Sequence, residues 1–92
     1  MKIKIFGKES CSLCQSAKKK VSFFLAHWQY QDKIEVTYYD LESAEGLAEG
    51  AFYDVGKIPT IVLEKDGQII RRWEGVAPLS EELKKSLSEV SK

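Results

Sequence analysis

The sequence predicts an α/β fold in which a four-stranded mixed sheet packs against three helices, in the order β-α-β-α-β-β-α. Three observations support this prediction. Short runs of alternating or β-branched residues recur along the chain, as they do in strands. Longer segments between these runs repeat apolar residues at helical spacing. An Asp66-Gly67 pair separates the last two strand-like runs, and it suits a type I′ hairpin turn, which needs positive φ at both central residues.

The first part of the chain predicts a strand, a helix and a second strand. Residues 2–6 alternate basic and apolar side chains, and residues 34–39 are β-branched and aromatic. A helix is expected from about residue 11 to residue 28, with Ser10 as its N-cap. A right-handed crossover would make the two strands parallel neighbours. The buried face expected for this helix consists of Cys14, Ala17, Val21, Phe24 and Trp28.

A second, weaker helix is expected over residues 44–53. Gly46 and Gly50 lie inside it, and each costs a helix about 1 kcal/mol relative to alanine. Apolar side chains at roughly helical spacing would pack this helix on the sheet. The residues expected to do so are Leu47, Ala48, Ala51 and Val55.

The last part of the chain predicts a hairpin followed by a helix. Residues 60–64 and 68–73 form its two strands, and the polar residues of the second strand suit a sheet edge. We expect the first strand of the chain to lie next to the hairpin, inside the sheet. Ser80 is expected to cap the last helix. The inner face expected for this helix consists of Leu79, Leu83, Leu87 and Val90.

The composition indicates one globular domain over residues 1–92. Hydrophobic residues make up 43% of the chain, which is enough for a packed core. Fourteen basic residues balance fourteen acidic ones, so charge gives no reason to expect nucleic acid or a membrane surface as a partner. The N-terminal apolar residues alternate with lysines, which is unlike an export signal or a membrane span. We therefore expect a cytoplasmic protein. A monomer is expected because no strong apolar stripe is left over once the predicted elements are packed.

The chain's only two cysteines form a C-x-x-C motif, Cys11-Ser12-Leu13-Cys14, directly after the first strand. Positions i and i+3 share one face of a helix, so the two sulfurs can meet. A sulfur at the helix N-terminus is favoured as a thiolate, the species that attacks disulfides. A structural staple is the poorer interpretation, because a bridge at this spacing closes almost no loop.

Metal binding is the alternative interpretation of the cysteine pair. Two thiolates at this spacing are half of a tetrahedral zinc or iron–sulfur site. No further cysteine exists, and His27 is the only histidine. A complete site would therefore need a dimer or external thiols, and the main interpretation expects no metal.

The chain resembles the thioredoxin-fold dithiol oxidoreductases, the thioredoxins and glutaredoxins. Two landmarks other than the cysteine motif support the resemblance. Ile58-Pro59-Thr60 precedes the hairpin, where that family carries a cis-proline, and Gly75 follows the edge strand, where family members carry a glycine. An ordinary trans proline at the start of a strand and a simple turn glycine are the plainer interpretations of these two landmarks.

The resemblance implies a thioredoxin-like fold, with Cys11 as the nucleophile and Cys14 as the resolving cysteine. Ile58, Pro59 and Gly75 would bind the substrate, and Ser12 and Leu13 would tune the redox potential. The redox-active disulfide Cys11–Cys14 would serve in place of a cofactor. Disulfide-containing proteins would be the substrates, and maintaining cell redox homeostasis the role.

The resemblance does not decide between the two branches. Lys8 stands where glutaredoxins carry a lysine, and it would lower the Cys11 pKa, contact glutathione, or remain a solvated loop residue. The paired glycines of glutaredoxins are missing, and so is the tryptophan that precedes the first cysteine of thioredoxins. Ile5 occupies the position of the buried acid of thioredoxins. The electron donor is therefore expected to be either a thioredoxin-reductase-like enzyme or glutathione.

Overall fold

The order of the elements is the predicted one, β-α-β-α-β-β-α. A computed structural model describes residues 1–30 and 32–90, except for the side chains of residues 89 and 90. Each strand and helix lies within a few residues of its predicted bounds. The elements are β1 Lys2–Gly7, α1 Ser12–His27, β2 Glu35–Asp40, α2 Ala44–Phe52, β3 Thr60–Lys65, β4 Gln68–Glu74 and α3 Ser80–Val90.

The four strands form a mixed sheet in the order β2-β1-β3-β4. β1 runs parallel to β2 and antiparallel to β3, and β4 closes the hairpin as an antiparallel edge strand. The predicted position of β1 inside the sheet is therefore confirmed. Asp66 and Gly67 have φ values of 54° and 80°, so both central residues of the hairpin turn adopt the left-handed conformation that the Asp-Gly pair predicted.

The two faces of the sheet carry different cores, because successive side chains of a strand point to opposite faces. Ile3 and Ile5 of β1 lie on the face that α1 and α3 cover. Phe6 lies on the other face, where α2 covers a smaller cluster. The larger cluster includes Ala17, Val21, Leu25, Ile61, Leu63, Leu83 and Leu87, and the smaller one consists of Phe6, Tyr53 and Val62.

Two details of α1 differ from the prediction. Cys11, not Ser10, is the N-cap, and its sulfur accepts a hydrogen bond from the backbone of Cys14. Leu25, which the prediction omitted, is buried, whereas Phe24 and Trp28 are only partly buried and stack on each other at 5.2 Å between ring centroids. Leu25 follows Val21 by four residues, so it continues the buried stripe while the aromatic pair lies at its rim.

The predicted packing face of α2 was wrong for most of its residues. Leu47 is 60% exposed, and Ala48 and Ala51 are exposed as well, while Val55 is half-buried. The buried residues of the helix are instead Gly46 and Gly50. A Cβ on Gly46 would lie 1.8 Å from the backbone oxygen of Asp40, so the helix rests directly on the main chain there. Gly46 faces inward because the close approach to Asp40 leaves no room for a side chain at that position.

The helix α3 follows the prediction at Leu83 and Leu87, which are fully buried. Leu79 is 61% exposed, so its predicted place in the core was wrong. It precedes the first helical residue, Ser80, which therefore begins the helix and does not cap it. The side chain of Val90 lies outside the described residues.

A polar cluster surrounds Lys4, in the middle of β1, and includes Glu49 of α2. The ammonium of Lys4 lies 3.6 Å from carboxylate oxygens of both Glu49 and Glu64, and it donates to the hydroxyl of Tyr53 at 2.8 Å. The Tyr53 hydroxyl donates in turn to Glu64. Burial lowers the pKa of Lys4, but the bond to Tyr53 and the two carboxylates outweigh it and raise the pKa above its ordinary value. Burial and the bond to Glu64 also raise the pKa of Tyr53.

Candidate functional site

The cysteine motif lies where β1 passes into α1. After Gly7 the chain turns through a short loop, in which the backbone N–H of Cys11 donates to the carbonyl of Lys8 at 3.1 Å. The sulfur of Cys11 then accepts from the N–H of Cys14 at 3.2 Å. The first turn of α1 contains no acidic residue, so no carboxylate of that turn offsets the positive end of the helix dipole. This arrangement favours negative charge on the Cys11 sulfur.

Cys11 and Cys14 form a disulfide with a Cα–Cα distance of 5.2 Å. The two residues differ in exposure, since Cys11 is half-buried and Cys14 is fully buried. Ser12 and Leu13, between them, are exposed. An incoming thiolate therefore reaches the sulfur of Cys11 and is shielded from that of Cys14.

The loop before β3 and the loop after β4 meet beside the motif. The Ile58–Pro59 peptide bond is cis, so the trans alternative was wrong. Gly75 has a φ of 77°, a value that side chains rarely permit, and its N–H donates to the carbonyl of Pro59 at 2.7 Å. A hollow of about 280 Å³ separates these loops from the first turns of α1. Its mainly apolar lining includes Leu13, Ala17, Pro59, Gly75 and Val76.

Tyr38 of β2 places its hydroxyl close to Gly7, at the end of β1 that leads into the motif. A Cβ on Gly7 would lie 2.8 Å from the Cys14 sulfur and 2.9 Å from the hydroxyl oxygen of Tyr38. The sulfur and the hydroxyl thus border the same small space above Gly7. The side-chain amide of Gln15 donates to that hydroxyl at 3.3 Å.

The fold was compared with solved structures. Thioredoxin 1 from Thermosipho africanus superposes with a TM-score of 0.78 at 22% identity, over 100% of both chains. Thioredoxin O2 from Arabidopsis thaliana, in its oxidised state, gives 0.76 at 20% identity over 99% of this chain and 75% of the other. This chain has the thioredoxin fold. Thioredoxin-2 of the malaria parasite, a component of its protein secretion machinery, gives 0.78 at 19% identity over 96% and 81%.

Comparison of the sequence itself gives no such match. No model of a known protein family matches this chain, and no curated protein matches it. At about 20% identity the structural likeness concerns the thioredoxin fold, so the chemistry is argued from this chain's own residues.

Within the thioredoxin fold, the residues predicted from sequence divide into two sets. Leu13, Pro59 and Gly75 line one hollow next to the cysteines. Lys8 lies apart from that set, because it is exposed and borders a different hollow of about 370 Å³, which it shares with residues from and around α2 such as Leu47 and Asp54. The predicted roles of Lys8, Ser12 and Leu13 remain predictions.

Within residues 1–30 and 32–90, no cluster of three or more histidine, cysteine or acidic residues is arranged to hold a metal ion. No helix of that part of the chain has the length and apolar character needed to cross a membrane.

Sequence reasoning missed Tyr38 and Gln15. The sequence pattern places them only within the second strand and the first helix. A signal for Tyr38 exists in the period of two along β2, because Val36 and Tyr38 lie on the face that packs against α1. The parallel pairing of β1 and β2 then brings the end of β2 beside the end of β1, where the motif begins.

Proposed function

We propose that this protein is a protein dithiol–disulfide oxidoreductase. The observation that carries the proposal is the difference in exposure within one disulfide, a reachable Cys11 sulfur at a helix N-terminus and a buried Cys14 sulfur one turn later. The resemblance of the motif and of the fold to thioredoxins supports the same conclusion.

The proposed reaction moves two electrons from the reduced cysteine pair to a substrate disulfide. The Cys11 thiolate attacks one substrate sulfur, which forms a mixed disulfide and releases the other substrate sulfur as a thiolate. The Cys14 thiolate then attacks the Cys11 sulfur, which closes the Cys11–Cys14 bond and releases the second substrate thiolate. Two protons lost by the protein thiols are taken up by the two product thiolates, so atoms and charge balance.

The proposed substrates are disulfide-containing proteins. The hollow beside Pro59 is mainly apolar and open to solvent, which suits a segment of polypeptide rather than a charged small molecule. Backbone groups of Ile58 would pair with an extended substrate segment, and Gly75 would let that segment approach closely. Ser12 and Leu13, being exposed next to the sulfur, would tune its potential and contact the substrate.

Two electron donors are proposed as alternatives, a thioredoxin-reductase-like enzyme and glutathione. For the glutathione route, Lys8 is the residue proposed to contact the glutathione carboxylate. A dithiol that is to reduce other proteins has to be re-reduced, which fits a reducing compartment such as the cytoplasm. We propose a role there in cell redox homeostasis and electron transfer to protein disulfides.

Turnover of insulin disulfides tests the proposal. With dithiothreitol as donor, wild-type protein is expected to accelerate reduction, and Cys11→Ser to be inactive. Cys14→Ser is expected to accumulate a mixed disulfide with the substrate, visible by non-reducing electrophoresis, because the resolving thiolate is missing. Turnover by Cys11→Ser equal to that of the wild type would overturn the assignment. Repeating the assay with NADPH and thioredoxin reductase, and with NADPH, glutathione and glutathione reductase, identifies the donor.

A further inference from the structure

When the disulfide opens, the buried sulfur of Cys14 has to carry negative charge away from water, whereas Cys11 is only half-buried. Whenever the disulfide opens by attack on Cys11, the electron pair of the broken bond stays on Cys14, which is fully buried. A charge that forms away from water is unfavourable unless a hydrogen-bond donor faces it.

Tyr38 brings a hydroxyl to the same space above Gly7 that the Cys14 sulfur borders. Both atoms lie within 3 Å of the position that a Cβ on Gly7 would occupy, at 2.8 Å for the sulfur and 2.9 Å for the oxygen. Glycine at this position therefore keeps open a small space that both the hydroxyl and the sulfur border. An alanine there would fill it.

Gln15 determines which way the Tyr38 hydroxyl can donate. The Nε2 atom of Gln15 donates to the carbonyl oxygen of Lys8 at 3.2 Å, and a carbonyl only accepts, so the amino end of the amide must be the end that points there. The same Nε2 lies 3.3 Å from the Tyr38 oxygen, which must then accept. With its oxygen accepting from Gln15, the hydroxyl has its own proton available for another acceptor.

We propose that Tyr38, oriented by Gln15, is a positioning residue that donates a hydrogen bond to the Cys14 thiolate formed when the disulfide opens. The inference rests on the proposed function for its biological meaning, but its chemistry requires only that the disulfide be reducible. A donor dithiol attacks the Cys11 sulfur, forms one S–S bond and breaks the Cys11–Cys14 bond. Cys14 then carries the electron pair, and it later takes up a proton equivalent to the one the donor thiol released.

The charges around Tyr38 keep its proton in place at neutral pH. Burial, and then the negative charge of Asp40, raise the pKa of its hydroxyl, and Glu9 acts in the same direction. The bond from Gln15 lowers the pKa, and the ammonium of Lys18 lies 4.8 Å from the ring centroid. The net pKa is raised, so the group stays a donor over the range in which a thiol ionises.

The pKa of the Cys14 thiol tests the proposal directly. The reduced Cys11→Ser protein leaves Cys14 as the only thiol, and its titration is followed by the Cβ chemical shift of labelled cysteine. In the Cys11→Ser protein that also carries Tyr38→Phe, the pKa is expected to rise by about one unit or more, a tenfold loss of thiolate at a fixed pH. Phenylalanine keeps the ring, so packing alone predicts no shift.

Tyr39→Phe in the same background is the matched control. It removes a neighbouring phenol hydroxyl on the opposite face of the sheet, where Tyr39 stacks on Phe6, and it is expected to leave the Cys14 pKa unchanged. Gln15→Met keeps Tyr38 but removes its orienting donor, and it is expected to raise the pKa by a smaller amount, which keeps the test open if Tyr38→Phe does not fold.

An unchanged Cys14 pKa in Tyr38→Phe, or an equal shift in Tyr39→Phe, would overturn the inference. That result differs from a failure of the proposed function, in which the wild-type protein would fail to turn over insulin whatever the Cys14 pKa.

Discussion

Gly46 of α2 is a position where helix propensity and packing make opposite predictions for one substitution. Alanine is favoured over glycine inside a helix by about 1 kcal/mol, so propensity predicts that Gly46→Ala stabilises the protein. The new Cβ would however lie 1.8 Å from the backbone oxygen of Asp40 and 2.5 Å from its carbonyl carbon. These are main-chain atoms at the end of β2, so relief requires α2 to move away from the sheet.

The magnitude follows from the two opposing effects. Overpacking in a well-packed region costs about 1–3 kcal/mol, and a contact with backbone belongs at the upper end of that range. After the gain in helix propensity, we expect Gly46→Ala to lower the free energy of unfolding by about 2 kcal/mol. For a chain of this size that corresponds to a fall in Tm of roughly 10 °C.

Gly50→Ala, one turn later in the same helix, is the matched control. Its Cβ would lie 2.8 Å from the Cδ2 atom of Leu41, which is the far end of a flexible and half-buried side chain, and at an ordinary contact distance of 4.0 Å from the Cβ of Val55. We therefore expect Gly50→Ala to be neutral or to stabilise by up to about 1 kcal/mol. Urea unfolding of the oxidised proteins, followed by circular dichroism, measures both variants. If Gly46→Ala is as stable as Gly50→Ala, the packing argument is refuted.

Two further predictions concern the polar cluster around Lys4. Lys4→Met is expected to lower the free energy of unfolding by about 2 kcal/mol, because it leaves the buried carboxylate of Glu64 without its cation. Lys2→Met, which removes an ion pair whose side chains are 56% and 65% exposed, should change the free energy by less than about 0.5 kcal/mol in the same urea titration, and equal losses would contradict the argument. In the wild type, the raised pKa values of Lys4 and Tyr53 mean that the folded state holds these protons more tightly than the unfolded chain. Their stabilisation is therefore complete below the ordinary values of 10.0 for tyrosine and 10.5 for lysine, and it is lost as the pH rises through the folded pKa values. The free energy of unfolding should thus fall above about pH 10, and the fall should be shallower in Tyr53→Phe, whereas identical slopes would contradict the pKa shifts.

The strands and the hairpin could be predicted because their signals are local. Alternation along β1 and the Asp66-Gly67 pair depend only on neighbouring residues and on the conformations that those residues permit. The packing face of α2 could not be predicted in the same way. Counting apolar side chains selected Leu47, whereas the face is determined by how closely Gly46 approaches Asp40, a contact between separate elements.

The residues of the candidate site show the same difference between local signals and contacts that depend on the fold. Cys11, Cys14 and Pro59 belong to short motifs, so their importance could be recognised without knowing how the chain folds. Tyr38 is found only once the register is known, because it pairs with Ile5 and so lies two positions along the strand from the level of Gly7. A one-residue slip of β2 would turn its side chain to the other face of the sheet.

The inner position of β1 has a consequence for the order in which the protein can assemble during synthesis. β1 needs β3 on one side, and most of the chain is translated between them. Until β3 has left the ribosome, Ile3, Ile5 and Phe6 lack one of the two strands between which they lie in the sheet. The nascent chain therefore gains its stable sheet late, and ribosome-bound chains that end before Thr60 should be protease-sensitive and should be bound by chaperones that recognise exposed apolar segments.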